Sequence, residues 1–236
     1  GMASYSFRSF TLDQAIEMTK RLGLRKITLK EMHLPIKSTQ QEIQAAIDKL
    51  KSADVELTSC GVVYMKTEEE VHTAFAYAKA AGINIMVGVP YPPLLALAEQ
   101  KVKETGISLA IHNHGPSDRP YQAPGDAYSA IEKMDGRMGL CFDITHTVRL
   151  GLDPTFELER YFDRVLDIHM KDVSSADAKG KTVEIGRGVI DIPRFLKTLV
   201  RLKYSRIVHF EHEENQKDPL PSVAESVGYV RGVLAA

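Results

Sequence analysis

The residues able to do chemistry fall into five short groups. They are Lys30 with His33, His112-Asn-His114, Asp143-Ile-Thr-His146, His169-Met-Lys171-Asp172 and Glu211-His-Glu213. His112, Asp143, His169 and Glu211 together offer two imidazoles and two carboxylates, a mixed nitrogen and oxygen set that suits Zn²⁺, Mn²⁺ or related divalent ions better than soft copper sites. No thiolate is required. In extended backbone a spacing of two puts His114 on the side of His112 and Glu213 on the side of Glu211, so either neighbour is an alternative ligand or a partner that orients one. Lys30 and Lys171 each follow a short apolar run and are candidates to point into the same pocket. Cys141, two residues before Asp143, is read as a packing residue. His209 and His212 flank Glu211 and are expected to alternate to the outside, as packing or surface residues. The stretch Glu184-Ile-Gly-Arg-Gly188 offers Arg187 as a bidentate grip for phosphate or carboxylate, with a turn before a helix as its other reading.

These groups need elements that bring them together. Short β-rich runs at 2–7, 26–30, 56–63, 84–89, 108–113, 138–143, 165–171 and 206–211 alternate with segments of helical period. Thr11 opens the first helix, whose Leu12, Ala15, Ile16, Thr19 and Leu22 share one face, and Gly23 closes it. Ser38 with Glu42 opens the second, and Thr67 with Glu70 forms a capping box for the third. Later helices are expected at 93–105, 124–134, 154–162, 192–202 and 223–234, several with proline in the first turn, where its missing N–H costs nothing. Near-continuous apolar runs such as Asn84-Ile-Met-Val-Gly-Val89 suit parallel strands buried on both faces. Eight such units in 236 residues, close to the roughly 250 typical of the fold, predict a single (β/α)8 TIM barrel, one domain over 1–236. An open doubly wound sheet is the competing arrangement, and no Gly-rich dinucleotide fingerprint follows the first strand to support it. In a barrel the C-terminal ends of the strands form the functional rim, and the five polar groups all lie there. The polar segment 172–190 is expected to be a mobile active-site flap.

Thirty basic and thirty-one acidic side chains give a net charge of −1, so no global positive field favours nucleic acid or anionic lipid. No apolar run approaches the ~20 residues of a membrane span, and 1–10 lacks a signal-peptide pattern. Two cysteines, both in apolar segments, imply no disulfide framework. A cytoplasmic location is therefore expected, with a small carbohydrate as partner, no nucleic acid and no membrane. A homo-oligomer is compatible with the composition.

Six motifs, in order, carry a family resemblance: Ser4-Tyr-Ser-Phe-Arg8, Ile111-His-Asn-His-Gly115, Phe142-Asp-Ile-Thr-His146, Asp167-Ile-His-Met-Lys-Asp172, Glu184-Ile-Gly-Arg-Gly-Val-Ile-Asp191 and Phe210-Glu211. With them the chain resembles, over essentially its whole length, the xylose-isomerase-like barrels of the sugar phosphate isomerase/epimerase group. The resemblance implies one divalent metal (Mn²⁺, Zn²⁺, Mg²⁺ or Co²⁺) on Asp143, His169 and Glu211. It implies substrate contacts from His146 and Lys171. At strand five His112 stands where such barrels carry glutamate, so one member of their proton-transferring carboxylate pair is an imidazole here.

The expected activity is isomerisation or epimerisation of a sugar or sugar phosphate, through proton abstraction beside a metal-polarised carbonyl. Glu211 would take the proton and His112 or His114 return one, with His146 and Lys171 on substrate oxygens. Arg187, Lys30 or His33 would hold a distal group. A lyase, dehydratase or hydrolase on a keto-sugar is the nearest alternative, because the same enediolate can expel a leaving group. A DNA-repair barrel would need a basic groove and several metals, and a non-catalytic sugar-binding barrel is the reading outside enzymes.

Overall fold

The computed structural model describes every residue of the chain except Asp118. Eight parallel strands close into a barrel: β1 (Met2–Ala3), β2 (Lys26–Leu29), β3 (Glu56–Met65), β4 (Ile85–Pro90), β5 (Ser108–His112), β6 (Met138–Asp143), β7 (Val165–Met170) and β10 (Ile207–Phe210). Each pairs with its neighbours in chain order, and Met2 opposite both Ile27 and Phe210 seals the ring. The open-sheet alternative is thereby excluded. Helices between the strands cover the outside with α1 (Leu12–Arg21), α2 (Gln40–Ser52), α3 (Glu68–Ala80), α4 (Leu95–Thr105), α5 (Pro124–Ile131), α7 (Pro154–Tyr161), α8 (Ile192–Arg201) and α9 (Leu220–Ala235). The extra helix α6 (Ile144–Val148) springs directly from the end of β6.

Capping chemistry sets most helix starts. Thr11 and Thr67 accept the N–H of Gln14 and Glu70, whose side chains return the bond to the capping backbone. The second helix starts one residue later than expected: Thr39, not Ser38, caps it, because only Thr39 stands three residues before Glu42. The first strand is shorter than its apolar look suggests. Ser4–Phe7 turns into a 3-10 helix, and this frees Ser4 Oγ to accept the Lys30 N–H and Ser6 Oγ to accept the His212 N–H.

Alternation along the strands separates two cores. One set of residues, such as Ile111, Phe142, Ile168 and Met170, packs against the helices, while Val87, Ala110, Cys141 and Leu166 fill the barrel interior. Buried polar side chains share the interior with that apolar plug. His209 belongs there and not on the outside, since it stands two residues before Glu211 and so shares its side. It is fully buried, with Nδ1 2.8 Å from Asp167 Oδ1 and Nε2 2.8 Å from Thr58 Oγ1. His212, on the other parity, is buried too.

The 172–190 segment is tied down at its base. A two-stranded antiparallel hairpin, β8 (Asp172–Val173) with β9 (Thr182–Val183), organises it. The buried Asp172 carboxylate accepts backbone N–H bonds from Val173, Gly186, Gly188 and Ile190 at 2.8–3.2 Å. Gly188 is needed here: a Cβ would fall 2.1 Å from Asp172 Oδ1. The expected flap is therefore a loop pinned by one carboxylate.

Candidate metal centre

Four adjacent strands deliver the site. Ala110 and His112 on β5, Cys141 and Asp143 on β6, Asp167 and His169 on β7, and His209 and Glu211 at the end of β10 follow the period of two that aims them inward. Register then sets heights, with His112 opposite Cys141 and Asp143 opposite His169. One donor atom each from Asp143, His169 and Glu211 lies within 4.8 Å of the others, all buried.

Asp143 is held from three sides. Its Oδ1 accepts Thr145 Oγ1–H at 2.8 Å and the His146 N–H at 3.0 Å, capping α6. Its backbone is fixed by Asn113, whose Oδ1 accepts the Asp143 N–H while Nδ2 donates to the Asp143 carbonyl and to Thr147 Oγ1. Its Oδ2 faces the cluster, 2.9 Å from Lys171 Nζ and 3.5 Å from His112 Nε2.

Lys171 is the electrostatic hub. Its buried ammonium also lies 3.0 Å from Glu211 Oε2 and 2.7 Å from Glu213 Oε1, while Lys30 Nζ stands 3.3 Å from Glu211 Oε1. Burial alone would lower the Lys171 pKa, but Asp143, Glu211 and Glu213 outweigh it and hold the ammonium well above its ordinary range. Burial would likewise raise both carboxyls. Lys171 overrides it at Asp143, and Lys171 with Lys30 overrides it at Glu211, so both sit well below the usual carboxylate range. Lys171 is thus a charged donor and no nucleophile.

The histidines cluster around this centre. Ring centroids of His112 stand 5.3, 5.8 and 5.1 Å from those of His114, His146 and His169, and His114 lies 4.5 Å from His146. Burial pushes His112 down to about 3, and also carries His146 well below its ordinary value, so both rings are neutral. His169 Nδ1 lies 3.2 Å from Glu211 Oε2. His112 Nδ1 and His169 Nε2 are buried without a hydrogen bond, while Asp143 Oδ2 is ion-paired with Lys171 and His169 Nδ1 faces Glu211. Leaving one such buried nitrogen unsatisfied costs about 1–3 kcal/mol, and two of them beside two carboxylates at the meeting point of four strands suit a cation. The donor set therefore fits a divalent metal.

Not every expected residue joins. His112, His114, Asp143, His146, His169, Lys171, Glu211 and Lys30 come together on the rim. His33 does not: its Nε2 is 3.1 Å from the Phe10 carbonyl oxygen, so it ties down the loop before α1. Arg187 points away to the surface, where it forms a two-point ion pair with Glu225 on α9. Gly186, at φ +94°, turns the chain there to deliver its N–H to Asp172 instead of opening an anion grip. The sequence reading passed over Asn113, although a polar side chain directly between two site histidines is a signal for it. Arg149 was missed as well, and its guanidinium reaches His146 Nδ1 at 3.4 Å and the Gly180 carbonyl at 3.0 Å.

The chain is a closed eight-stranded barrel with a carboxylate and imidazole cluster at the strand ends. Residues 10–232 match the family model described as xylose isomerase-like TIM barrel, and the chain belongs to that family. It is 30% identical over 144 residues to the rhizopine catabolism protein MocC of Rhizobium meliloti, covering 54% of this chain and 43% of that protein. It is 25% identical over 152 residues to an inosose dehydratase of Mesomycoplasma hyopneumoniae, covering 56% of this chain and 50% of that one. The matches thus span about half the length of these curated relatives. Among solved structures it is similar to the zinc-bound IolI protein, with TM-score 0.78, 16% identity and coverage of 99% and 95% of the two chains. Among the described residues no helix is long and apolar enough to cross a membrane.

Proposed function

We propose that this chain is a metal-dependent isomerase or epimerase of a keto-sugar or sugar phosphate, acting by removing a proton beside a carbonyl. The observation that carries the reading is the convergence of Asp143, His169 and Glu211 within 4.8 Å, with the Lys171 ammonium against two of them. Asp143, His169 and Glu211, with His112 or His114 at strand five, would hold the ion, and the zinc in the similar IolI structure supports that reading. When bound, the ion supplies Lewis acidity that polarises a carbonyl and its neighbouring hydroxyl. Glu211 takes the adjacent proton. Lys171, held as an ammonium, donates a hydrogen bond to the oxygen that gains charge, and His146 binds a neighbouring substrate oxygen. Returning a proton to the opposite face of the same carbon epimerises, and returning it to the former carbonyl carbon isomerises. Glu211 itself can carry the proton between the two carbons in isomerisation, whereas epimerisation needs a donor on the other face, the role left to His114 when His112 is a neutral ligand.

A second reading rests on the 3.0 Å contact between Glu211 and Lys171, which sets a base beside an acid. Glu211 takes the proton beside the carbonyl, the electron pair of the broken C–H bond forms the carbon–carbon double bond, and the departing hydroxyl, hydrogen-bonded by the Lys171 ammonium, leaves as water with the proton that Glu211 took. The relatives named inosose dehydratase favour this dehydration. Product analysis after incubating the metal-loaded protein with ketoses, keto-sugars and their phosphates separates the two. A product of unchanged mass supports isomerisation or epimerisation, and loss of one water supports dehydration.

A further inference from the structure

Below Asp143 the barrel holds a donor set of different chemistry. His112, Cys141 and His169 each present a donor atom within 4.8 Å of the other two, and all three residues are buried. The sequence makes this directly. Cys141 faces inward two residues before Asp143, and His112 is its register partner on the neighbouring strand. A glutamate at 112 would give this level a carboxylate; the imidazole makes it nitrogen and sulfur.

Two features separate Cys141 from an ordinary packed thiol. It belongs to the small interior cluster of Val87, Ala110, Cys141 and Leu166 and is in register with His112, so it joins that apolar cluster to the histidines. Each of the two rings beside it keeps one nitrogen, His112 Nδ1 and His169 Nε2, without a hydrogen bond, although both residues are at least 98% buried. Unpartnered imidazole nitrogens beside a thiol and away from water are the donors that borderline-soft ions select, whereas Mg²⁺ and Mn²⁺ favour oxygen.

We propose that Cys141 is itself a metal ligand, with His112 and His169, and that this nitrogen and sulfur position makes the barrel selective for Zn²⁺ or Co²⁺ over Mn²⁺ and Mg²⁺. The inference rests on the metal-dependent reading of the site. Binding replaces the S–H bond of Cys141 by a sulfur–metal bond and releases one proton to the buffer, with no change of oxidation state.

Cobalt reports the ligand without any substrate. Chelator-stripped full-length protein is titrated with CoCl2 while near-ultraviolet and visible absorption and proton release are recorded, for the parent, Cys141→Ala and Asp143→Asn. The expected result is a thiolate-to-cobalt charge-transfer band that Zn²⁺ abolishes and equal Mn²⁺ leaves intact. Cys141→Ala should lose the band and bind Zn²⁺ at least about tenfold more weakly, the loss that even an outer partner of a metal ligand can cause. If Cys141→Ala fails to fold, the band and the released proton in the parent carry the test alone. Visible cobalt bands without the charge-transfer band would overturn the sulfur ligand and leave the functional reading standing. Absence of any cobalt or zinc binding would overturn both.

Discussion

Lys171 Nζ lies 2.9 Å from Asp143 Oδ2 and, on its other side, 2.7 Å from Glu213 Oε1, so one buried ammonium ties the end of β6 to the loop after β10. Removing one partner of a buried ion pair commonly costs about 3–5 kcal/mol, because the charge left behind stays desolvated. Lys171→Met should therefore unfold at clearly lower temperature than the parent in chelator. Added Zn²⁺ should narrow the gap, since a cation can replace the lost charge, while turnover stays depressed on the order of a hundredfold or more. Differential scanning calorimetry with and without metal checks this.

Asn113 positions Asp143 through the backbone. Asn113→Ala should leave the fold intact and weaken metal binding by roughly ten- to a hundredfold, as loss of orienting partners does in other metal sites. Isothermal titration of the stripped protein with Zn²⁺ measures it.

Asp172 accepts four backbone N–H groups at 2.8–3.2 Å. Asp172→Ala orphans them at about 1 kcal/mol or more each. Limited proteolysis should then cut within 174–190 far faster than in the parent, at a protease level that leaves the barrel whole.

His33 is buried against the Phe10 carbonyl, and burial lowers its pKa below the ordinary 6.5. The unfolded chain then binds more protons than the folded one below that value, so His33 makes stability fall as pH drops from about 6.5 toward its folded pKa. His33→Gln removes this contribution. Its melting temperature should fall less than the parent's between about pH 7 and pH 5, measured at equal ionic strength.

Much of the fold was legible because parallel strands and capped helices leave local marks: Thr67 with Glu70 announces α3, and the apolar run at 84–89 announces β4. The rim was legible for the same reason, since a period of two along β5, β6 and β7 decides which side chains face inward. What escaped depends on distant partners. Nothing near Arg187 shows that Glu225, 38 residues on, will draw it to the surface. Lys171 gives no local hint that carboxylates from two other strand ends surround it. His209 is a different case, because its parity with Glu211 was present in the chain and predicts the interior position the structure shows.

The central claim is that Glu211 removes a carbon-bound proton at a metal held by this rim. Its most direct test is solvent exchange: stripped and Zn²⁺- or Mn²⁺-loaded protein, parent and Glu211→Gln, incubated in D2O with a panel of ketoses, keto-sugars and sugar phosphates and followed by proton NMR. The account predicts loss of a C–H signal beside the carbonyl of at least one compound, only with metal and only with Glu211 intact. Exchange that survives Glu211→Gln or proceeds undiminished after stripping, or no exchange across the whole panel by the loaded parent, would contradict it.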